Sequence, residues 1–259
     1  MSPWEVIDIK ALFINEPSNK EQLRQWEKCA LEKFEAKMKD KEHPFPCIPA
    51  TQGFALNHLR YGFLEDPRYD SSIMELAQLL TTYTNYSKEF GNYTSLIVFF
   101  DTPSDLKKVY TVEQFEQIFW EHLSGLTELD QVEWPNHIPV DPHNPLWEFC
   151  YHGEQYFMYC ATPSHKNRKS RHFDVYMLAI TPRWVLTEFG KSEDYAKKIR
   201  KLVRKRLENY DSIDIHPDLN TYGNADNYEW KQYFLHDDDT AISKCPFHRM
   251  VEEAKKHSK

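Results

Sequence analysis

The segment Ser95–Phe100 constrains the fold more than any other, because five apolar residues follow one another there after the serine. The run is too short for a buried helix, and its β-branched and aromatic residues are typical of a strand inside a sheet. An inner strand requires neighbouring strands and apolar elements packed against the sheet. The rest of the chain is therefore expected to provide both.

Four stretches carry apolar residues at helical spacing. They predict amphipathic helices over about 19–39, from Ser72 to near Gly91, from Thr111 to Gly125, and from Ser192 onward. The first three open with a capping-box pair: Ser18 with Glu21, Ser72 with Glu75, and Thr111 with Gln114. Segment 43–49 holds three prolines. It predicts an extended loop, because proline fixes φ and removes a backbone donor.

A hairpin and one further strand complete the predicted sheet. Stretches 147–151 and 156–161 flank a short segment containing Gly153, which is the pattern of two strands joined by a turn. Residues 175–180 predict another strand. Because helices and strands do not alternate regularly, the sequence predicts an α+β fold. We expect one domain over residues 1–259, with a mixed or antiparallel sheet flanked by amphipathic helices.

The scarcity of glycine narrows the function classes. The chain has 7 glycines, and none are spaced as in a dinucleotide-binding or phosphate-binding loop. It also lacks the Gly-x-Ser-x-Gly, Cys-x-x-Cys and His-Glu-x-x-His motifs. Built-in NAD, FAD or ATP sites are therefore not expected, and hydrolase and kinase activities lose support.

Charge and hydropathy bear on partners and location. Lys and Arg number 32 against 40 Asp and Glu, a net charge of −8, which is the wrong sign for a protein that binds a phosphate backbone. No run of about 18 apolar residues is present, and the N-terminus lacks a basic region followed by an apolar one. We expect no nucleic-acid partner, no membrane segment, and a cytoplasmic protein whose 5 cysteines stay reduced.

One basic segment, residues 162–173, stands out in this acidic chain. It contains His165, Arg168 and Arg171 and lies between the hairpin and the last predicted strand. Nearby arginines disfavour a protonated imidazole, so His165 is expected to be neutral and available as a metal ligand. Two arginines at this spacing can bind a carboxylate, phosphate or propionate through forked hydrogen bonds. The alternative interpretation is a basic surface loop.

The last predicted helix carries a second concentration of positive charge. Seven Lys and Arg residues lie between Lys197 and Arg206 on its outer face. Such a run is usually a solvated face, but it also suits docking of an acidic partner such as an electron-donor protein.

Several ordered motifs carry a resemblance to a known family. They are Pro44–Cys47, Leu59–Phe63, Trp147–Cys150, Gly153, Thr162–His165, Arg168, Ser170–Arg171, Thr181–Trp184 and Asn227–Asp238. Over nearly its whole length the chain resembles the YqcI/YcgG family. That family is similar to haem-dependent N-hydroxylases, which oxidise a guanidine nitrogen. The resemblance implies haem b as cofactor and a small amine or guanidine, such as arginine, as substrate.

The resemblance also implies roles for individual residues. It makes His165 the axial ligand of the haem iron and Arg168 and Arg171 the partners of the propionates. Cys47 is the rival ligand, since a thiolate favours O–O cleavage in haem monooxygenases. His58, beside Arg60 in the sequence, is a third option and a distal catalytic residue, and Arg60 is a further cofactor-binding candidate.

A guanidinium substrate needs carboxylate partners, and Glu148, Asp141 or Glu154 near the hairpin are the candidates. Because the chain has no flavin or nicotinamide motif, electrons are expected from a separate donor protein or from peroxide. Two alternatives remain. One is a non-catalytic haem-binding sensor or carrier, and the other is a haem-free protein whose basic segment recognises a small anion.

Overall fold

A five-stranded mixed sheet forms the centre of the fold. The computed structural model describes residues 12–14, 16–190, 192–220, 224 and 226–247. The strands are β1 (Arg60–Leu64), β2 (Leu96–Phe100), β3 (Phe149–Tyr151), β4 (Glu154–Ala161) and β5 (Met177–Pro182), in the order β1-β2-β5-β4-β3. Strands β1 and β2 are parallel, and every other neighbouring pair is antiparallel. The predicted α+β fold with a mixed, hairpin-containing sheet is confirmed.

The other regular elements of the described residues are helices. They are α1 (Pro17–Lys20), α2 (Gln25–Lys39), α3 (Ile48–Ala55), α4 (Asp70–Tyr86), α5 (Ser104–Val109), α6 (Val112–Leu129), α7 (Arg183–Gly190), α8 (Glu193–Tyr210) and α9 (Trp230–Tyr233). Short 3-10 turns cover Ser87–Glu89 and Lys169–Arg171.

The predicted starts of two helices were wrong. The helix predicted over 19–39 is two helices, because the Glu27 carboxylate accepts from the Arg24 backbone N–H at 2.7 Å and starts α2 anew. Helix α4 begins at Asp70, before Ser72. The Ser72 hydroxyl donates back to the Tyr69 carbonyl at 2.7 Å, so it does not cap the helix. The cap of α8 is as predicted, since Ser192 accepts from the Tyr195 N–H.

The Thr111–Gln114 capping box at the start of α6 is confirmed, but the predicted end at Gly125 was wrong. Helix α6 continues to Leu129 because Gly125 serves close packing: a Cβ there would lie 2.7 Å from Ile73 of α4. The extended segment predicted to Pro49 ends at Cys47, and α3 begins at Ile48. Proline is tolerated in a first helical turn, where its missing N–H has no intrahelical partner.

The hairpin is confirmed, and its turn uses His152 and Gly153 at positive φ of 51° and 76°. The strand predicted over 175–180 occurs two residues later, as β5. The sequence analysis missed β1. Gly62 of that strand permits a close approach of α4, since an added Cβ would lie 2.0 Å from a methyl carbon of Leu79.

Even-numbered and odd-numbered residues of β2, β4 and β5 lie on opposite faces of the sheet, because side chains alternate along a strand. Even-numbered residues of β2, β4 and β5 pack against α4 and α6 in the larger core: Leu96, Val98, Phe100, Tyr156, Met158, Cys160, Leu178 and Ile180. Odd-numbered residues face α2 in a smaller, aromatic core that includes Tyr61, Ile97, Phe99 and Met177. The odd-numbered face is less completely filled, and it carries the candidate site.

Candidate functional site

The structure places His165 inside the protein, where both ring nitrogens already have partners. Nε2 donates to the Leu235 carbonyl at 2.8 Å, so Nδ1 accepts from the Thr162 hydroxyl, also at 2.8 Å. Burial lowers the pKa of His165 to about 4, and the nearby Arg171 has a smaller effect in the same direction. The imidazole is neutral as predicted, but the main cause is desolvation. With these bonds in place, both ring nitrogens already have partners inside the protein, and the role of His165 as the iron ligand stays a prediction.

Arg168 is almost completely buried and binds backbone carbonyls. Its Nε donates to His236 at 2.9 Å, Nη1 to Asp214 at 3.1 Å and Nη2 to Asp238 at 3.0 Å. A guanidinium with donors aimed in several directions satisfies several carbonyls at once. Arg168 therefore fastens the C-terminal part of the described chain to the basic segment and does not reach a ligand surface.

Arg171 makes similar contacts. Its Nη1 donates to the Tyr233 carbonyl at 2.9 Å and Nη2 to the Gln232 carbonyl at 2.8 Å. The guanidinium also lies over the Tyr159 ring, 4.3 Å from its centroid. These bonds hold α9 against β4. Arg168 and Arg171 are both buried and do not lie on a surface loop, and their role as propionate partners stays a prediction.

Glu148 is buried as well, and its carboxylate already binds a guanidinium of the chain. Arg183, at the start of α7, donates to Glu148 and also to Glu229. Both carboxylates have only 2% of their side-chain surface exposed. Burial raises the pKa of Glu229 to about 7 even beside this partner. Glu148 therefore belongs to an internal ion-pair cluster and is not placed to receive a substrate.

His58 and Arg60 lie where α3 leads into β1. The His58 ring stacks on Tyr93 with centroids 6.0 Å apart, and burial lowers its pKa. The Arg60 guanidinium lies 4.2 Å from the Phe90 ring centroid and donates to the carbonyls of Asn57 and Leu59. The two predicted site residues are thus neighbours, but neither lines the cavity found beside them.

That cavity, called here the sheet cavity, has a volume of about 200 Å³ and lies between the odd-numbered sheet face and α2. One side is built from Phe34, Lys37 and Met38 of α2 with Phe45 and Cys47 of the following loop. The other side is the sheet: Ser95, Ile97, Phe157, Tyr159, Met177, Ala179 and Thr181. Room exists because Ser95, Ala179 and Thr181 are small where the larger core has leucine and isoleucine at neighbouring positions.

Cys47 is the one predicted site residue that reaches the sheet cavity. Pro46 and the start of α3 hold it there, and its side chain is accessible from the cavity while protein surrounds it. Confinement raises the pKa of the Cys47 thiol, whereas the positive charges of Arg171 and Arg206 act to lower it. A soft, accessible sulfur on an apolar wall can bind a transition metal carried by a flat apolar ligand.

The sequence analysis missed Lys37 and Tyr159, two residues with polar groups that line this largely apolar cavity. Tyr159 donates its hydroxyl to the Ser170 carbonyl, and Ser95 is hydrogen-bonded to Thr181 at 2.7 Å. The strand periodicity could have identified Tyr159, because alternate residues of a strand share one face and Tyr159 is on the same face as Phe157. Lys37 carried no signal beyond its place on the inward side of α2.

Comparison with known proteins agrees on one family. The model of the YqcI/YcgG family matches residues 34–248. The "Uncharacterized protein YcgG" of Bacillus subtilis (strain 168) is 46% identical over 227 residues, covering 88% of this chain and 90% of that protein. The "Uncharacterized protein YqcI" of the same strain is 46% identical over 237 residues, covering 92% and 93%.

A more distant relative carries a name that describes an activity. The "Putative N(omega)-hydroxy-L-arginine synthase DcsA" of Streptomyces lavendulae is 26% identical over 244 residues, covering 92% of this chain and 89% of that protein. No solved structure matches the chain significantly. Within the described residues, no helix combines the length and the apolar character needed to cross a bilayer. With a family match that includes the whole sheet and Cys47, the chain belongs to the YqcI/YcgG family.

Proposed function

We propose that this protein is a haem-dependent N-hydroxylase that acts on a small amine or guanidine, with arginine as the first candidate. The proposal rests on the position of Cys47, whose side chain lines the apolar sheet cavity. The name of the Streptomyces lavendulae relative supports the reaction class. The cofactor and the role of Cys47 are part of the proposal.

The chemistry of the cavity wall fits a haem group. Aromatic and aliphatic side chains suit a porphyrin face, a cysteine sulfur is an established haem ligand, and Arg206, which donates to the Phe45 carbonyl, provides positive charge for propionates. The enclosed volume of about 200 Å³ is below the ~300–1,000 Å³ usual for ligand pockets, so a porphyrin needs the open mouth as well. Cys47 therefore replaces His165 as the preferred ligand.

When bound, haem would supply the activation of dioxygen or peroxide, and a Cys47 thiolate would favour O–O cleavage. The protein contributes the surroundings. Phe45, Phe157 and Met177 exclude water, and Cys47 supplies the sulfur. Arg171 and Arg206 favour the thiolate, because each positive charge opposes the effect of confinement on the pKa of Cys47.

A guanidinium substrate would meet hydroxyl groups in the sheet cavity. Ser95, Tyr159 and Thr181 are among the residues that line it, and a hydroxyl oxygen can accept from an N–H donor while its own hydrogen is bonded elsewhere. The carboxylates expected to serve this purpose lie elsewhere among the described residues. Asp141 is exposed beside His143, and Glu154 is half-buried on β4, outside the cavity.

Electrons are proposed to come from an acidic donor protein that docks on α8, or from peroxide. Lys198, Arg200, Lys201, Arg204 and Lys205 are exposed on this helix. Arg206 of the same helix donates to the Phe45 carbonyl at 3.1 Å, and Phe45 lines the sheet cavity. The basic face thus adjoins the loop that carries Cys47, which suits delivery of electrons close to the site.

The test combines spectroscopy with product analysis. Wild type, Cys47→Ser and His165→Asn are produced with haem precursor supplied, and the absorption spectra of the ferric and the carbon monoxide-bound ferrous forms are recorded. We expect about one haem per chain in wild type and a thiolate-type spectrum that Cys47→Ser removes. His165→Asn is expected to keep the spectrum. Mass spectrometry then follows oxygen addition to arginine and a panel of amines and guanidines, with peroxide or a reductase system.

Each part of the proposal has an outcome that overturns it. A wild-type protein that stays colourless and does not change when haemin is added contradicts haem binding and favours the haem-free anion-binding alternative. Haem that stays bound without oxygen addition to any compound favours a sensor or carrier. A spectrum lost in His165→Asn but kept in Cys47→Ser returns the ligand role to His165.

A further inference from the structure

Lys37 projects from α2 into the wall of the sheet cavity. Its ammonium group donates to two backbone carbonyls of the basic segment, Lys169 at 3.1 Å and His172 at 2.7 Å. It also lies 5.5 Å from the ring centroids of both Phe45 and Tyr210. Two carbonyls and two rings therefore hold a positive charge at the edge of an apolar cavity.

No carboxylate of the described residues lies within ion-pair distance of this ammonium group. Asp174 and Asp211 act on it only from further away, and burial dominates, lowering the pKa of Lys37 to about 8. Two other lysines of α2 form ion pairs: Lys33 with Asp174, and Lys39 with Glu35. Lys37 thus carries a poorly compensated charge and lines the sheet cavity.

We infer that Lys37 is a carboxylate-binding residue, which anchors a carboxylate group of the ligand that occupies the sheet cavity. An ammonium group has three donors, and Lys169 and His172 use two of them, so one remains for an incoming acceptor. A carboxylate would accept from this third donor in a charge-assisted hydrogen bond. Such a bond is stronger than a neutral one, especially away from bulk water.

This inference deepens the proposed function and rests on it for the identity of the ligand, because two ligands of that reaction carry carboxylates. One is the haem group through its propionates, and the other is an amino-acid substrate such as arginine. The chemistry at Lys37 is the same in both cases. Binding of a plain arylalkyl carboxylate to the haem-free protein tests the site without reference to the reaction.

The experiment compares each carboxylate with a matched ligand that lacks it. The pairs are 4-phenylbutanoate and 4-phenylbutanamide with haem-free protein, haemin and its dimethyl ester, and L-arginine and agmatine with haem-loaded protein. Dissociation constants are measured by titration calorimetry or tryptophan fluorescence for wild type, Lys37→Met and Lys37→Arg. Lys33→Met is the matched control, since it removes a lysine from the exposed side of the same helix.

We expect wild type to bind at least one carboxylate about tenfold or more tightly than its partner, a difference of about 1.4 kcal/mol. Lys37→Met should abolish that preference, whereas Lys37→Arg and Lys33→Met should keep it. A preference confined to the haemin pair identifies a propionate, and one confined to the arginine pair identifies the substrate. An unchanged preference in folded Lys37→Met, or no preference in wild type for any pair, overturns the inference. Failure of haem binding alone leaves the phenylbutanoate comparison intact.

A pH series on wild type decides the matter if Lys37→Met does not fold. The charged or titratable groups that act on Lys37 or line the cavity with it are Asp174, Asp211, His172, Tyr210, Tyr159 and Cys47. Because the ammonium loses its proton as pH rises through about 8, the preference for 4-phenylbutanoate over the amide should decline between pH 7 and 9. A preference that stays constant over that range contradicts the inference.

Discussion

The Nε2 atom of His165 lies 2.8 Å from the carbonyl oxygen of Leu235, 70 residues further along the chain. This bond and those of Arg168 and Arg171 attach the basic segment to the C-terminal part of the described structure. The segment has the composition of a ligand-binding loop, but these residues bind the protein itself. The chemistry of the same residues is unchanged, but their partners are backbone carbonyls of the protein. The candidate site is the sheet cavity, which Tyr159 lines.

Replacing His165 with Asn should lower the free energy of unfolding and should not prevent haem binding. The Leu235 carbonyl and the Thr162 hydroxyl would each lose a well-placed partner, which destabilises the fold by about 1–3 kcal/mol. Urea unfolding of wild type and the variant measures the difference. An unchanged free energy of unfolding would show that these hydrogen bonds do not form in solution.

Stability should also depend on the protonation of His165. Its pKa is about 4 in the folded protein and 6.5 in its ordinary state, so between these values the unfolded chain binds the proton more readily. The contribution is therefore complete above pH 6.5 and declines as pH falls toward 4. We expect the wild-type free energy of unfolding to fall more steeply than that of His165→Asn over this range. Equal slopes would contradict the burial of a neutral imidazole.

Arg168→Met should be among the most destabilising single changes in the basic segment. The variant removes the donor of the buried His236 carbonyl and of the partly buried carbonyls of Asp214 and Asp238, which costs about 3 kcal/mol. Lys166→Met, an exposed neighbour, serves as the control and should change stability by less than about 0.5 kcal/mol. Thermal unfolding and limited proteolysis of the C-terminal region report both effects. An equal loss of stability in the two variants would contradict the role of Arg168 in attaching the C-terminal part of the described chain.

Arg183→Met should be more harmful than the loss of any exposed ion pair. It leaves the buried carboxylates of Glu148 and Glu229 without a counter-charge, which costs about 3–5 kcal/mol when one partner of such a pair is removed. Lys33→Met breaks the half-exposed pair with Asp174 and should cost less than about 1 kcal/mol. Chemical denaturation distinguishes the two, and a cost below 1 kcal/mol for Arg183→Met would show that the cluster is solvated.

Docking of an electron donor on α8 predicts a specific dependence on charge and salt. Changing Lys198, Lys201 and Lys205 to Gln should slow reduction of the loaded protein by an acidic ferredoxin about tenfold at low salt, because electrostatic steering raises association rates. The difference should shrink above 0.1 M salt, where charges about 10 Å apart are screened. Stopped-flow absorbance follows the reduction.

Two controls make this prediction specific. Changing Lys88, Lys107 and Lys108 to Gln removes the same charge from other exposed positions and should have a smaller effect. Peroxide-driven turnover should be equal in all variants, because it needs no donor. Equal reduction rates for the two triple variants would mean that net charge, and not α8, attracts the donor.

Local patterns predicted much of the fold and little of the site. The Thr111–Gln114 cap, the run Leu96–Phe100 and the hairpin at Gly153 are recognisable because each depends on residues within a few positions of one another. Strand β1 was missed because Arg60–Leu64 contains a charge and a glycine, and only its pairing with β2 makes it a strand. Of the predicted site residues, Cys47 alone reaches the sheet cavity.

The sequence by itself determined the fold class and the family, since periodicity, caps and ordered motifs are properties of neighbouring residues. The tertiary structure decided which polar groups are satisfied internally and which face a cavity. A histidine or an arginine looks the same in a sequence whether its donors meet a ligand or a carbonyl 70 residues away, as with His165 and Leu235. Desolvation and hydrogen bonding depend on those distant partners, so the change of candidate ligand from His165 to Cys47, and the place of Lys37 beside it, required the folded chain.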